Sequence, residues 1–334
     1  MVLADVQRAS VKKFNQNRII AKSVSPSKML AQPHFLAMPA VEMEVNRDKF
    51  ERLNFNGIKQ VSTDPVSTFS VDVDTGAYAV VRQYLNRGQL PPSDAIRIEE
   101  LINYFDYQYP QPSSDGAPFS VQTSLQKTPW SENTHLVKIG LQGYQAEQQR
   151  KAANLVFLID VSGSMGAANK LPLLKNAFKL LTKQLDEHDS VSMVVYAGSS
   201  GVVLEPTKGN DKVKILSALD NLNSGGSTHG SAGIKLAYQL AQQSFIKDGI
   251  NRVILATDGD FNVGTVSQNA LLDLIEQNKK KSISLTTLGF GHGNYNDALM
   301  EQLADHGDGN YAYIDQLSEA RKVLVEQIAG TLNT

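Results

Sequence analysis

The 334-residue chain contains no cysteine, so disulfides, thiolate metal sites and cysteine nucleophiles are excluded. Long apolar runs are missing too. The longest, such as Leu155 to Ile159 and Val253 to Ala256, are strand-sized, whereas a membrane-crossing helix needs about 20 apolar residues. Met1 to Phe14 holds no apolar stretch followed by a small-residue cleavage site, so the sequence carries no signal peptide. Excess charge of either sign is absent. With 32 Lys and Arg against 34 Asp and Glu the formal net charge is -2. That balance gives no global field favouring nucleic acid or acidic membranes.

What is present suits a globular protein. Hydrophobic residues make up 41% of the chain, enough to build a sizeable core. The length allows one large domain or two ordinary ones. Residues 1–60 read as a flexible N-terminal tether. Lys12, Lys13, Arg18, Lys22 and Lys28 alternate with polar residues, and Pro26, Pro33 and Pro39 interrupt any helix. Those charges are diluted rather than clustered, so a solvated tether is favoured over a nucleic-acid arm.

Residues 61–150 read as a smaller α+β domain. Ser67 to Val73 alternates as a strand does. Asp74 or Thr75 can cap a helix carrying Ala77, Val80, Val81, Tyr84 and Leu85 at i, i+3, i+4, i+7 spacing. A second helix, capped by Ser93 or Asp94, puts Ile98, Leu101, Ile102 and Phe105 on one face. Phe119 to Leu125 and His135 to Leu141 read as antiparallel neighbours. Residues 151–334 then alternate strand and helix, from the apolar strand Leu155 to Ile159 to a closing helix over Ser318 to Leu332. This rhythm predicts an α/β, doubly wound, mostly parallel sheet flanked by helices, with ligands bound beyond the carboxyl ends of its strands.

Three segments deliver oxygen-bearing side chains to that edge. In Phe157-Leu158-Ile159-Asp160-Val161-Ser162-Gly163-Ser164-Met165 an apolar strand ends in a carboxylate, and two hydroxyls follow at alternate positions. Gly225-Gly226-Ser227-Thr228 offers another hydroxyl at a helix entrance, and Leu255-Ala256-Thr257-Asp258-Gly259 is again a strand ending in a carboxylate. Asp160, Ser162, Ser164, Thr228 and Asp258 therefore form a candidate metal site. Its hard oxygens suit magnesium, manganese or calcium rather than a soft metal.

Asp-x-Ser-x-Ser, a downstream Thr and a strand-terminal Thr-Asp-Gly resemble the metal-ion-dependent adhesion motif of the von Willebrand factor type A (VWA) family, over roughly residues 152–334. The resemblance implies a Rossmann-like fold and one bound divalent cation. It makes Ser162, Ser164 and Thr228 direct ligands, with Asp160 and Asp258 direct or water-mediated. Neutral hydroxyl ligands leave the ion electrophilic, so a partner protein's Glu or Asp can complete an octahedral shell, at about 2.0–2.1 Å for magnesium. In several family members binding shifts the terminal helix, here Ser318 to Leu332.

A second resemblance lies upstream. Val66-Ser67-Thr68-Phe69-Ser70-Val71-Asp72-Val73-Asp74-Thr75, Gln89-Leu90-Pro91-Pro92 and Arg97-Ile98-Glu99-Glu100-Leu101-Ile102-Asn103-Tyr104-Phe105 are similar to the amino-terminal domain of the bacterial YfbK-like family. Its members pair that domain with a VWA domain, are often envelope lipoproteins and usually continue into a carboxy-terminal region. The resemblance implies a cell-envelope location, periplasmic or membrane-anchored, with a membrane tether through an N-terminal lipid anchor that this sequence lacks.

Taken together, the sequence predicts a non-enzymatic, metal-dependent protein-binding module with no nucleic-acid partner, and leaves its oligomeric state open. One rival is a magnesium-dependent hydrolase, although Ser162 stands where an Asp-x-Asp phosphatase has its second aspartate and no motif places a general base. Another is an intracellular adaptor of an AAA+ ATPase. Secondary features have plainer readings. Asp72 and Asp74 suit strand-end and helix-cap chemistry, and Lys279, Lys280 and Lys281 a solvated helix end. His229 reads as a rim residue, Asp260 and Asn262 are equally suited to a ligand groove or an exposed loop, and Gly289 to Asn294 lacks the lysine of a P-loop.

Overall fold

The structure is a computed structural model. It describes residues 47–52, 57–68, 73–113, 116–143, 151–226, 230–259, 261 and 267–327, all within one compact unit, Glu44–Thr334. The central element is a six-stranded sheet of β3 (Ala153–Asp160), β4 (Ser190–Tyr196), β5 (Ser200–Lys208), β6 (Ile250–Thr257), β7 (Ser284–Phe290) and β8 (Tyr311–Ile314). Its order is β5-β4-β3-β6-β7-β8. All neighbours pair in parallel except β5, which runs antiparallel to β4 at one edge.

Every residue of β3 is buried, because helices cover both faces of the sheet. On one face Leu155, Phe157 and Ile159 pack with Leu174 and Phe178 of α3 (Leu171–Gln184) and Ile215 of α4 (Lys212–Asp220). The Phe157 and Phe178 rings stack at 4.2 Å. On the other, Val156 and Leu158 meet α5 (Gly230–Gln243), α6 (Gln268–Lys279) and α7 (Asp297–His306) through Ile234, Tyr238, Ile275, Met300 and Leu303. Each such large side chain contributes about 1.5–3 kcal/mol by leaving water.

The amino-terminal segment extends the second core past β8. Helix α1 (Gly76–Asn86) buries Ala77, Val80 and Tyr84. It has no room for a Cβ at Gly76, which lies against the Tyr311 ring. Thr75 is its N-cap residue but makes no side-chain capping bond. Arg82 grips the end of the chain. Its Nε donates to Asp315 Oδ2 at 2.8 Å and its Nη2 to Glu319 Oε2 at 2.7 Å. Glu319 belongs to α8 (Leu317–Arg321), which continues as a π-helical turn over Lys322–Glu326. Tyr104 Oη donates to the same Glu319 at 2.8 Å, and Lys322 Nζ donates to Tyr104 O at 2.8 Å.

Three expectations change here. The helix expected after Pro92 divides into a 3-10 turn, Ser93–Ala95, and a short α2, Ile98–Asn103. Its apolar residues Ile98, Ile102 and Phe105 are exposed, and the buried side carries Arg97 and Glu100. The reason is polar. Glu100 accepts from Ala77 N at 2.7 Å and from Arg97, and Arg97 Nη1 donates to Asp297 at 2.5 Å. Ser67, Thr68 and Val73 lie outside any strand, and residues 69–72 are outside the described residues. Within the expected tether, Arg47 and Lys49 donate backbone bonds to Gly293 and Tyr295 at 2.8 and 2.7 Å, so this part is docked on the 293–297 loop. The expected antiparallel neighbours pair as β1 (Phe119–Lys127) and β2 (His135–Gly143). The closing helix is described only to residue 327.

Candidate metal centre

β3 delivers Asp160 to the carboxyl edge of the sheet, fully buried. Its Oδ1 accepts from Ser162 N at 2.8 Å, and its Oδ2 from Thr257 Oγ1 at 2.9 Å and Tyr196 Oη at 3.2 Å. Three neighbouring strands, β3, β4 and β6, thus fix one carboxylate. Ser162 leads into a 3-10 turn, Gly163–Gly166, anchored by the buried Met165. The turn brings Ser162 Oγ and Ser164 Oγ to 3.0 Å, with Ser164 exposed to solvent.

Asp258 follows β6 directly and is also fully buried. Its Oδ2 accepts from Lys170 Nζ at 2.8 Å and Asn294 Nδ2 at 3.3 Å, and Lys170 Nζ reaches Asn294 Oδ1 at 3.1 Å. Gly259 turns the chain away with φ +87°, and a Cβ there would collide with the backbone N of Asn296. Gly291, with φ +78°, leaves the space occupied by the Lys170 stem. Glycine meets both demands at no steric cost.

The two aspartates feel one another. Burial is the main cause that raises the Asp160 pKa. Bonds from Ser162 oppose it, and the nearby Asp258 carboxylate pushes the same way as burial. Burial, then Asp160, hold the Tyr196 phenol well above its ordinary range, so it remains a neutral donor. Two buried carboxylates beside two hydroxyls are hard-oxygen donors, and a divalent cation relieves their mutual repulsion. Asp160 Oδ2 and Asp258 Oδ2 each accept two bonds, whereas Asp160 Oδ1 accepts one, from Ser162 N, and keeps a lone pair available to an ion. The residues present therefore fit such an ion. No group of three or more His, Cys, Asp or Glu suited to a metal occurs among the described residues, so ligation of an ion here would depend on the hydroxyls.

The structure brings together four of the five candidates, Asp160, Ser162, Ser164 and Asp258. Thr228 lies outside the described residues, as do His229, Asp260 and Asn262. The loop leading to Thr228 is tied to the site: Gly225 N donates to Val161 O at 2.7 Å and Gly163 N to Gly226 O at 3.0 Å. Sequence reasoning missed Lys170, Asn294 and Tyr196. Lys170 left a signal, because it is the N-cap residue of α3, where the helix dipole disfavours a cation. Asn294 comes from the glycine-rich loop after β7.

Residues 154–327 match the von Willebrand factor type A domain family, and residues 44–138 match a second family described as von Willebrand factor. The uncharacterised protein YfbK of Escherichia coli (strain K12) is 42% identical over 337 residues, 99% of this chain and 58% of YfbK. The chain thus spans a little over half of that relative. Human inter-alpha-trypsin inhibitor heavy chain H3 is 27% identical over 54% of this chain and 21% of its own length. Among solved structures, a von Willebrand factor type A protein from Catenulispora acidiphila is 17% identical. It covers 68% of this chain and 52% of that one, with a TM-score of 0.48. With the family match reaching across the whole sheet and its flanking helices, this chain belongs to the von Willebrand factor type A domain family.

Proposed function

We propose that this chain is a protein-binding module that holds one divalent cation at the Asp160 loop and offers it to an acidic side chain of a partner. The observation carrying this reading is the pairing of Ser162 and Ser164 hydroxyls at 3.0 Å beside the immobilised Asp160 carboxylate. Neutral hydroxyls supply coordination without adding charge, so the ion keeps its attraction for a carboxylate. Asp258 balances charge from behind, and Thr228 contributes a third hydroxyl. Magnesium is the first choice among the hard cations, ahead of manganese and calcium.

The role is binding rather than catalysis. We place it at the bacterial cell envelope on the family resemblance, and no helix among the described residues is long and apolar enough to cross a membrane. Calorimetric titration with magnesium, manganese and calcium, followed by a magnesium-dependent pull-down, tests this reading. Wild type binds one ion and retains a partner, and Asp160→Ala loses both. Ion binding that survives Asp160→Ala would place the metal elsewhere.

A further inference from the structure

At the opposite end of β6, far along the strand from Asp258, lies a second polar site. Arg252 is 3% exposed. Its Nη1 donates to Thr286 Oγ1 at 2.8 Å and Asn310 Oδ1 at 3.2 Å, both neutral acceptors. Its Nε is buried and has no hydrogen-bond partner among the described residues. Burial pulls this guanidinium down to about 10, and Asp308 opposes that only in part. Arg97 and Arg82 differ: burial lowers them too, but their bonded carboxylates outweigh it. A buried cation with neutral partners is costly, and an unsatisfied buried N–H calls for an explanation.

A cavity of about 230 Å³ opens beside it, lined by Arg252, Lys151, Lys279, Ser282, Ser284 and Asp308 among others. Lys279 Nζ stands 3.7 Å from Asp308 Oδ1, with both side chains well exposed, 43% and 76%. Such a pair is weak and easily exchanged. Three cations against one carboxylate leave an excess of positive charge that suits a dianion better than a monoanion.

We propose that this cavity binds a single phosphate group. With Nη1 committed to Thr286 and Asn310, the Nε edge of Arg252 is the edge a bidentate oxyanion uses. Lys151 and Lys279 supply the remaining charge from the rim, and Ser282 offers a hydroxyl donor, whereas Ser284 Oγ donates to Asn251 O at 3.5 Å. The phosphate is either free, as on a small molecule, or the headgroup of an anionic lipid. The site is independent of the cation reading, because it lies at the other edge of the sheet.

The test is titration of the full chain with inorganic phosphate, followed by amide NMR shifts at Ser282, Ser284 and Asp308. In parallel, sedimentation is measured with phosphatidylcholine vesicles that contain or lack phosphatidylglycerol. Saturable shifts assign free phosphate, and sedimentation only with phosphatidylglycerol assigns the headgroup; either supports the site. Asp308→Asn should tighten binding and Lys279→Ala weaken it, each roughly threefold, as expected for exposed charges. Arg252→Gln should abolish it. If Arg252→Gln does not fold, the two exposed variants decide. No response to either probe, or a response indifferent to Lys279→Ala and Asp308→Asn, would overturn the proposal.

Discussion

Lys170 Nζ lies 2.8 Å from Asp258 Oδ2, and both groups are buried. A lysine thus occupies one carboxylate oxygen of the proposed cation site, and ammonium and metal compete for the same negative charge. Lys170→Met is expected to tighten magnesium binding about tenfold, the equivalent of about 1.4 kcal/mol. Without metal the same variant is less stable, since removing one partner of a buried pair costs about 3–5 kcal/mol. Calorimetry and thermal unfolding with and without magnesium check both signs. Unchanged affinity would mean that Lys170 has no part in the ion's balance.

Arg97 bonds Glu100 and Asp297 in a buried cluster joining α2 to α7. Arg97→Met leaves two buried carboxylates without their cation. The expected loss is about 3–5 kcal/mol, read as a lower urea midpoint. A change under about 1 kcal/mol, typical of exposed pairs, would show that the cluster contributes no more than a surface bridge.

Glu301 faces the same cluster. Burial is the main cause that pushes its carboxyl up to about 8; Arg97 pulls it down, while Asp297, Glu100 and Asp74 push it further up. Glu51 and Asp305 stand nearby along the same cavity. A carboxyl whose folded pKa is raised holds its proton better in the folded state. Its stabilising contribution is therefore complete below the unfolded value near 4.5 and is lost as pH rises toward about 8. Glu301→Gln should remove that slope, unfolding at a higher temperature than wild type at pH 9 and at a similar one at pH 4. Parallel melting curves across that range would refute it.

Gly259 sits at φ +87° against the backbone of Asn296. Gly259→Ala adds a left-handed strain of about 1–2 kcal/mol and a collision that displaces the 294–296 loop. Because Asn294 bonds Asp258 and Lys170, cation affinity should fall together with stability. A variant that loses stability but keeps its affinity would separate the loop from the site.

The doubly wound sheet was legible because β3 and β6 carry apolar runs of strand length, and α3 repeats at helical spacing. Asp160, Ser162, Ser164 and Asp258 were legible because each stands at or just past a strand end. The inward face of α2 was not. Ile98, Ile102 and Phe105 mark an apolar stripe, yet Arg97 and Glu100 turn inward because their partners, Asp297 and the Ala77 N–H, lie 200 and 23 residues away in sequence. Periodicity has no access to such pairings. Lys170 left only its place at the start of α3 as a signal, because its acceptor lies 88 residues downstream.

The grip of Arg82 on Asp315 and Glu319 has a practical consequence. A guanidinium fork tolerates only small displacement before its bonds lengthen past about 3.2 Å, whereas a one-turn slide of a helix covers about 5.4 Å. The residue that holds Asp315 and Glu319 in place, Arg82, lies outside the stretch 154–327 that the family match covers. Excising that stretch for biophysical work would cut the tether rope at its cleat. Asp315 and Glu319 would there lack the guanidinium that the longer polypeptide supplies.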